Sequence, residues 1–197
     1  MVTRFSFIGG ALCLDFTNTV GGHEGVKILR DKLAGPEDLK RWARQAGLKG
    51  QGITPRIFRR AIALREALYR TFVSAAQGRA PAPADLDLFN REWSIARSTD
   101  RLRYRRAEFH VESEDIPVIS AVIRSAADVI MSDLARLRVC GGDGCAWLFL
   151  DTTRNRSRQW CEMRICGNRA KASRFRSKKK ARTNVRPAPR RRPHIAV

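Results

Sequence analysis

Four of the chain's five cysteines stand in two pairs, Cys140 with Cys145 and Cys161 with Cys166. Four residues separate the members of each pair and fifteen join the pairs. That spacing suits a four-cysteine zinc site, in which two short chelating loops bring four thiolates to one tetrahedral ion. Gly141, Gly142 and Gly144 fall inside the first gap, where a tight turn needs backbone freedom. Two disulfides or four unliganded core cysteines are the alternatives, and the matched gaps favour metal over both. Four thiolates leave no position for water, so the expected cofactor is one structural Zn²⁺ with no catalytic role.

The charge is distributed to match. The chain has 197 residues and a formal net charge of +20. From Arg136 onward there are 18 Lys or Arg against Asp143, Asp151 and Glu162, a net of +15. Residues 1–135 therefore carry only +5. Positive charge gathered in one third of a chain is the footprint of a polyanion binder. The candidate phosphate contacts are Arg154, Arg156, Arg158, Arg164, Arg169, Lys171, Arg174, Arg176, Lys178, Lys179 and Lys180. Guanidinium forks suit phosphate because each can bind two oxygens at once.

Before the cysteines the sequence reads as helices. After Gly9-Gly10 a short helix is expected, carrying Asp15 and Asn18. Those two polar groups either line a small-ligand pocket or satisfy buried backbone, the commoner role for such residues. Cys13 reads as buried filler. Residues 21–35 read as a loop. Helices are then expected from Pro36 to the stop at Gly47, from Pro55 to about Gln77, and from Ala84 to Arg97. Their inward stripes are Leu39, Trp42, Ala43 and Ala46; Ile57, Ala61, Leu64, Leu68, Phe72 and Ala75; and Leu86, Phe89, Trp93 and Ala96. Residues 101–112 alternate as a two-stranded hairpin, with Arg101, Arg103 and Arg105 on its wet side. Asp115 is expected to cap a last helix from Ile116 to about Leu137. His110 has no acid or nucleophile near it in the sequence and reads as structural.

Between and after the cysteines, the chain resembles the CGNR zinc-finger proteins of bacteria. The resemblance rests on Trp147-Leu148-Phe149-Leu150-Asp151, Arg154-Asn155-Arg156-Ser157-Arg158, Trp160-Cys161, Met163, and Cys166-Gly167-Asn168-Arg169 with Lys171. It departs at Gln159, where a basic residue usually precedes Trp160, and at Glu162, usually a small residue. Gly10, Leu14-Asp15-Phe16 and Asn18-Thr19 resemble the opening of the ABATE domain, the stress-induced regulator that precedes this finger in the family. The resemblance implies an amino-terminal regulatory domain and a nucleic-acid-binding finger.

The expected fold is mainly α, an α+β arrangement with a minor β-hairpin. A helical domain would span residues 1–137, a small treble-type zinc finger with four cysteine ligands 138–180, and a disordered basic tail 181–197. The expected function is zinc-dependent nucleic-acid binding, with DNA favoured over RNA, as a transcription regulator whose first domain senses a small effector or forms a homodimer. An RNA or ribosome binder and a zinc-shaped protein-interaction adaptor are the rivals. Phosphate-binding glycine loops, HExxH and nucleophile elbows are missing from the sequence, so an enzyme is not expected. An apolar start interrupted by Asp15, and no apolar run long enough to span a bilayer, point to the cytoplasm and reduced thiols.

Overall fold

A computed structural model describes residues 5–24, 27–28, 30–98, 100–113 and 117–183. Among them are six helices and three two-stranded antiparallel pairings. The first helix, α1 (Leu12–Thr17), is short and almost wholly buried. A small pairing follows, β1 (His23–Glu24) with β2 (Lys27–Ile28), inside the stretch expected to be only loop. A bridge between Val20 and Asp31 closes its base.

The helix ends are legible in chemical terms. In α2 (Pro36–Gln45), proline fills the first turn and Glu37 and Asp38 face the positive helix end. Gly47, at φ 76°, ends it, with Leu48 N–H bonded to Ala43 O at 2.8 Å. In α3 (Pro55–Ala76), Thr54 caps the start by accepting from Ile57 N–H. Gly78, at φ 66°, and a bond from Arg79 N–H to Ser74 O end it in the same way. A left-handed residue after the last turn is needed to fold the chain back onto the orphan carbonyls, and glycine adopts it without a Cβ clash.

The core forms where α1, α2, α3 and α5 (Pro117–Met131) meet. Phe16 and Trp42 pack with ring centroids 4.8 Å apart, among Leu14, Leu39, Leu64, Leu68, Phe72, Ile119 and Ile123. Cys13 is buried here, and burial pushes its thiol up to about 12, so it acts as filler. A buried arginine lies beside this core. Arg65 is 1% exposed and donates to both carboxylate oxygens of Asp31, at 2.8 and 2.6 Å, and to the Thr19 hydroxyl. It thereby ties the loop before α2 to α3.

The helix α4 (Pro83–Ser98) differs from its expected stripe. Leu86 is exposed, and the inward side carries Asp85, Glu92 and Ala96. Asp85 takes a two-pronged ion pair from Arg70, and Glu92 one from Arg60. The α3 arginines let these two acids face inward, because a carboxylate that leaves water needs a partner. Phe89 and Trp93 remain half-buried at the flank.

The expected hairpin is present as β3 (Asp100–Arg105) and β4 (Glu108–Ser113), with Leu102 opposite Val111 and Tyr104 opposite Phe109. Arg106 and Ala107 make its turn, both with positive φ, as a two-residue hairpin turn requires. Leu102, Tyr104 and Phe109 are at least 64% exposed, so the apolar side of this ribbon is as wet as the arginine side. Asp115, read as a helix cap, lies outside the described residues.

The last expected helix also stops early. After Met131 the Asp133 side chain accepts from Ala135 N–H, a single 3₁₀ turn follows (Leu134–Arg136), and the chain becomes extended. Leu137 is recruited into β5 (Leu137–Val139), which pairs with β6 (Leu148–Leu150). At the carboxyl end, α6 (Asn168–Thr183) extends past the tail boundary expected at Ala181, and residues 184–197 lie outside the described residues.

Candidate metal centre and its basic surroundings

The pairing of β5 with β6 creates the first metal loop. Leu137 faces Leu150, Arg138 faces Phe149 and Val139 faces Leu148. Cys140 N–H extends the ladder to Trp147 O at 2.7 Å, so residues 140–147 form its closed end. Gly142 is required there. A Cβ at that position would lie 2.9 Å from Cys166 Cβ and 3.0 Å from its sulfur.

The second pair arrives through Asp151 and Arg158. Asp151 is fully buried and accepts from Thr153 N–H, the Thr153 hydroxyl and Arg158 N–H. These bonds, the Thr153 hydroxyl foremost, hold its carboxyl below the usual range. The Arg158 guanidinium lies 4.5 Å from the centre of the Phe149 ring and donates to the carbonyls of Trp160 and Cys161. Cys166 sits in a wide helical turn, Met163–Gly167, where Gly167 N–H reaches back to Glu162 O. The turn runs directly into α6.

The four sulfurs converge. All four cysteines are buried, and their Sγ atoms lie within 4.8 Å of one another. Cys145 to Cys161 and Cys161 to Cys166 are each 3.7 Å. Four thiolates about 2.3 Å from one ion would stand roughly 3.8 Å apart at tetrahedral angles. Backbone N–H groups of Gly142 and Cys161 point at the Cys140 sulfur, at 3.4 and 3.3 Å, as they would towards a thiolate. All five cysteines are free. Bonded to one another, the thiols are pulled apart: Cys140, accepting from Cys145 and Cys161, is held low, while those two are pushed up. A divalent cation removes that opposition by letting all four ionise. The four cysteines are positioned to bind one zinc ion.

The finger is fastened to the helical domain. Asn18 donates its amide to Leu148 O at 2.8 Å and accepts from Leu148 N–H at 2.9 Å. Trp147 Nε1 donates to Val20 O at 2.8 Å, and the Tyr69 hydroxyl donates to Ala146 O at 3.1 Å. Leu150 N–H bonds Gly9 O at 2.8 Å. Gly22 lies so close to Gly144 O that a Cβ there would collide with it. Asp15 is buried and accepts from Gly9 N–H at 2.8 Å. The pocket expectation for Asp15 and Asn18 is therefore corrected: both carry the buried-backbone role, because their polar atoms are already occupied by main chain.

The basic residues fall into groups. Arg154, Arg164, Arg169, Lys171, Arg174 and Arg176 are exposed. Arg156 is exposed and pairs with Asp133 at 2.8 Å. Arg158 is spent largely on holding the metal loop, a use that spacing alone does not reveal. Lys178, Lys179 and Lys180 belong to α6, but their side chains lie outside the described residues. Of the two tryptophans considered for base stacking, Trp147 is bonded to Val20 and capped by Lys32 Nζ at 5.0 Å. Trp160 packs half-buried against the cysteine cluster. Arg138 went unnoticed in the sequence because its strand reads there as the end of a helix. The inside-outside alternation of Leu137, Arg138 and Val139 is the signal that could have found it.

Two family models match successive parts of the chain. Residues 10–133 match the family model ABATE, described as "Putative stress-induced transcription regulator". Residues 136–179 match the model of the CGNR zinc finger. No curated protein matches the chain.

Proposed function

The chain belongs to the ABATE family and carries a CGNR zinc finger behind that domain, and from this premise we propose that it is a zinc-dependent DNA-binding transcription regulator. The observation that carries the reading is α6. Between Met163 and Thr183 the sequence has nine Lys or Arg and no acid. The helix springs directly from the turn holding Cys166 and packs chiefly against that turn. Residues 171–177 are all exposed, Phe175 at 71%. Sixteen residues of helix span about 24 Å, enough to follow a major groove that is about 12 Å wide. Zinc, in this reading, aims the helix and performs no chemistry, since four thiolates close its shell.

Phe175 stands open on α6, whereas both tryptophans of the finger are engaged, which favours duplex DNA over stacking of single-stranded bases. Trp147 is closed by Val20 and Lys32, and Trp160 leans on the cysteine cluster. The helical domain would sense an effector or bring two copies together on a two-fold site. The protein would act in the cytoplasm, at the nucleoid. No helix among the described residues is long and apolar enough to cross a membrane.

Fluorescence anisotropy of the zinc-loaded chain with labelled duplex DNA, single-stranded DNA and RNA tests this. Duplex preference, a steep salt dependence, and loss in Cys161→Ser are expected. RNA preference would promote the RNA reading. Absence of binding at low salt would leave the protein-interaction adaptor.

A further inference from the structure

A cleft of about 500 Å³ opens between β5, the segment 156–160 and the first half of α6. Arg138, Arg156, Arg158 and Arg174 line it, with Ser157 and Trp160, and none of its lining residues is a carboxylate. The four arginines come from three separate segments, so the fold brings together residues that the sequence keeps apart. Two of them are held by other parts of the chain. Arg158 is fixed by the carbonyls of Trp160 and Cys161 and by the Phe149 ring. Arg156 has a left-handed backbone, φ 50°, and its guanidinium is tied to Asp133 outside the cleft. A strained non-glycine residue persists where surrounding contacts hold it, and such residues gather at binding sites. Arg174 belongs to the exposed face of α6, and Arg138 is half-buried on β5.

Arg138 and Arg174 border a concave space with no carboxylate in its lining, and forked donors in such a place suit a tetrahedral oxyanion. We infer that this cleft is a phosphate site, filled by one backbone phosphate of the bound nucleic acid, and that it fixes where α6 enters the groove. The inference rests on the nucleic-acid reading above and adds Arg138 to it. A phosphate contact positions a protein without reading sequence. The site would therefore set register and leave base recognition to the outer part of α6. A free nucleotide carries the same group, and the test separates the two sources.

The full-length, zinc-loaded protein is compared with Arg138→Gln, Arg174→Gln, their double variant, and Arg59→Gln as a charge control on the exposed side of α3. Zinc content and thermal midpoint verify folding. Arg174→Gln, on an exposed helix face, keeps the test valid if Arg138→Gln folds poorly. With two unrelated duplexes, the double variant is expected to weaken binding equally and to flatten the plot of log affinity against log salt by about 0.9. Arg59→Gln should leave the slope alone. A double variant that behaves like Arg59→Gln, while Arg176→Gln still weakens binding, overturns the cleft and leaves the DNA reading standing. If the parent protein binds no nucleic acid, the DNA reading fails. The cleft is then decided by titrating inorganic phosphate and a nucleoside monophosphate while following the Trp160 indole N–H by NMR. A shift that the double variant abolishes assigns the site to free phosphate compounds, and no shift overturns it.

Discussion

Asn18 is bonded as though it were a neighbouring strand. Its amide supplies one donor and one acceptor to Leu148 on the outer edge of β6, across 130 residues of sequence. Alanine there would leave a buried N–H and a buried carbonyl unpaired. Each such group costs about 1–3 kcal/mol, so Asn18→Ala should lower unfolding stability by about 2–5 kcal/mol in urea titration. Loss of under about 1 kcal/mol would mean water replaces the amide. Asp15, three residues earlier, gives a pH signature. Burial pushes its carboxyl up to about 6, against the opposing pull of the Gly9 and Ile8 N–H groups. An acid whose pKa is higher folded than unfolded holds its proton better in the folded state, so its contribution falls as pH rises from about 4 through 6. Asp15→Asn keeps an acceptor for Gly9 and removes the charge. Between pH 5 and 7 the parent should lose about 1–2 kcal/mol relative to this variant, and parallel urea midpoints would refute it.

Among the elements, two protrude. The ribbon of β3 and β4 exposes Leu102, Tyr104 and Phe109, and its residues pack mainly on each other. The Tyr104 and Phe109 rings touch at a centroid distance of 4.9 Å, a cross-strand contact that holds the ribbon's own shape. Changing both to threonine should therefore alter thermal unfolding by no more than about 1 kcal/mol. A larger loss would mean the ribbon carries part of the core. The second protruding element, α6, has no apolar stripe and depends on its root. The wide turn at Met163–Gly167 lets Cys166 face the other sulfurs while the next residue starts a helix.

At the scale of the whole molecule, the finger and the helical domain share one core. Leu137 and Leu148 come from the finger's two strands, yet both are fully buried in the cluster built by α1, α3 and α5. A small metal loop is usually too small to hold itself without its ion. Here its strands are also held by Asn18, Tyr69 and Val20 from the other domain. Stripping zinc with a chelator should therefore lower the melting midpoint of the whole chain, in a single calorimetric transition. Two transitions, with the upper one unmoved by chelation, would show that the helical domain stands alone.

The cysteine pairs and the CGNR-like residues were legible in the sequence because metal geometry demands particular residues at particular spacings. The helices α2 and α3 were legible too, since their caps and stripes are local. The α4 face was not, because Asp85 and Glu92 turn inward only once Arg70 and Arg60 stand opposite. Nor was β5, whose residues continue a helical pattern until Leu150 and Asp151 are there to pair with them. Asn18 gave no sign of its distant partner. The sequence by itself determined the metal ligands, the principal helices and the basic end of the chain, all matters of neighbours within a few residues. Tertiary structure alone decided which polar groups are buried, which arginines remain available and how the finger is joined to the helices, because desolvation depends on what packs opposite a residue.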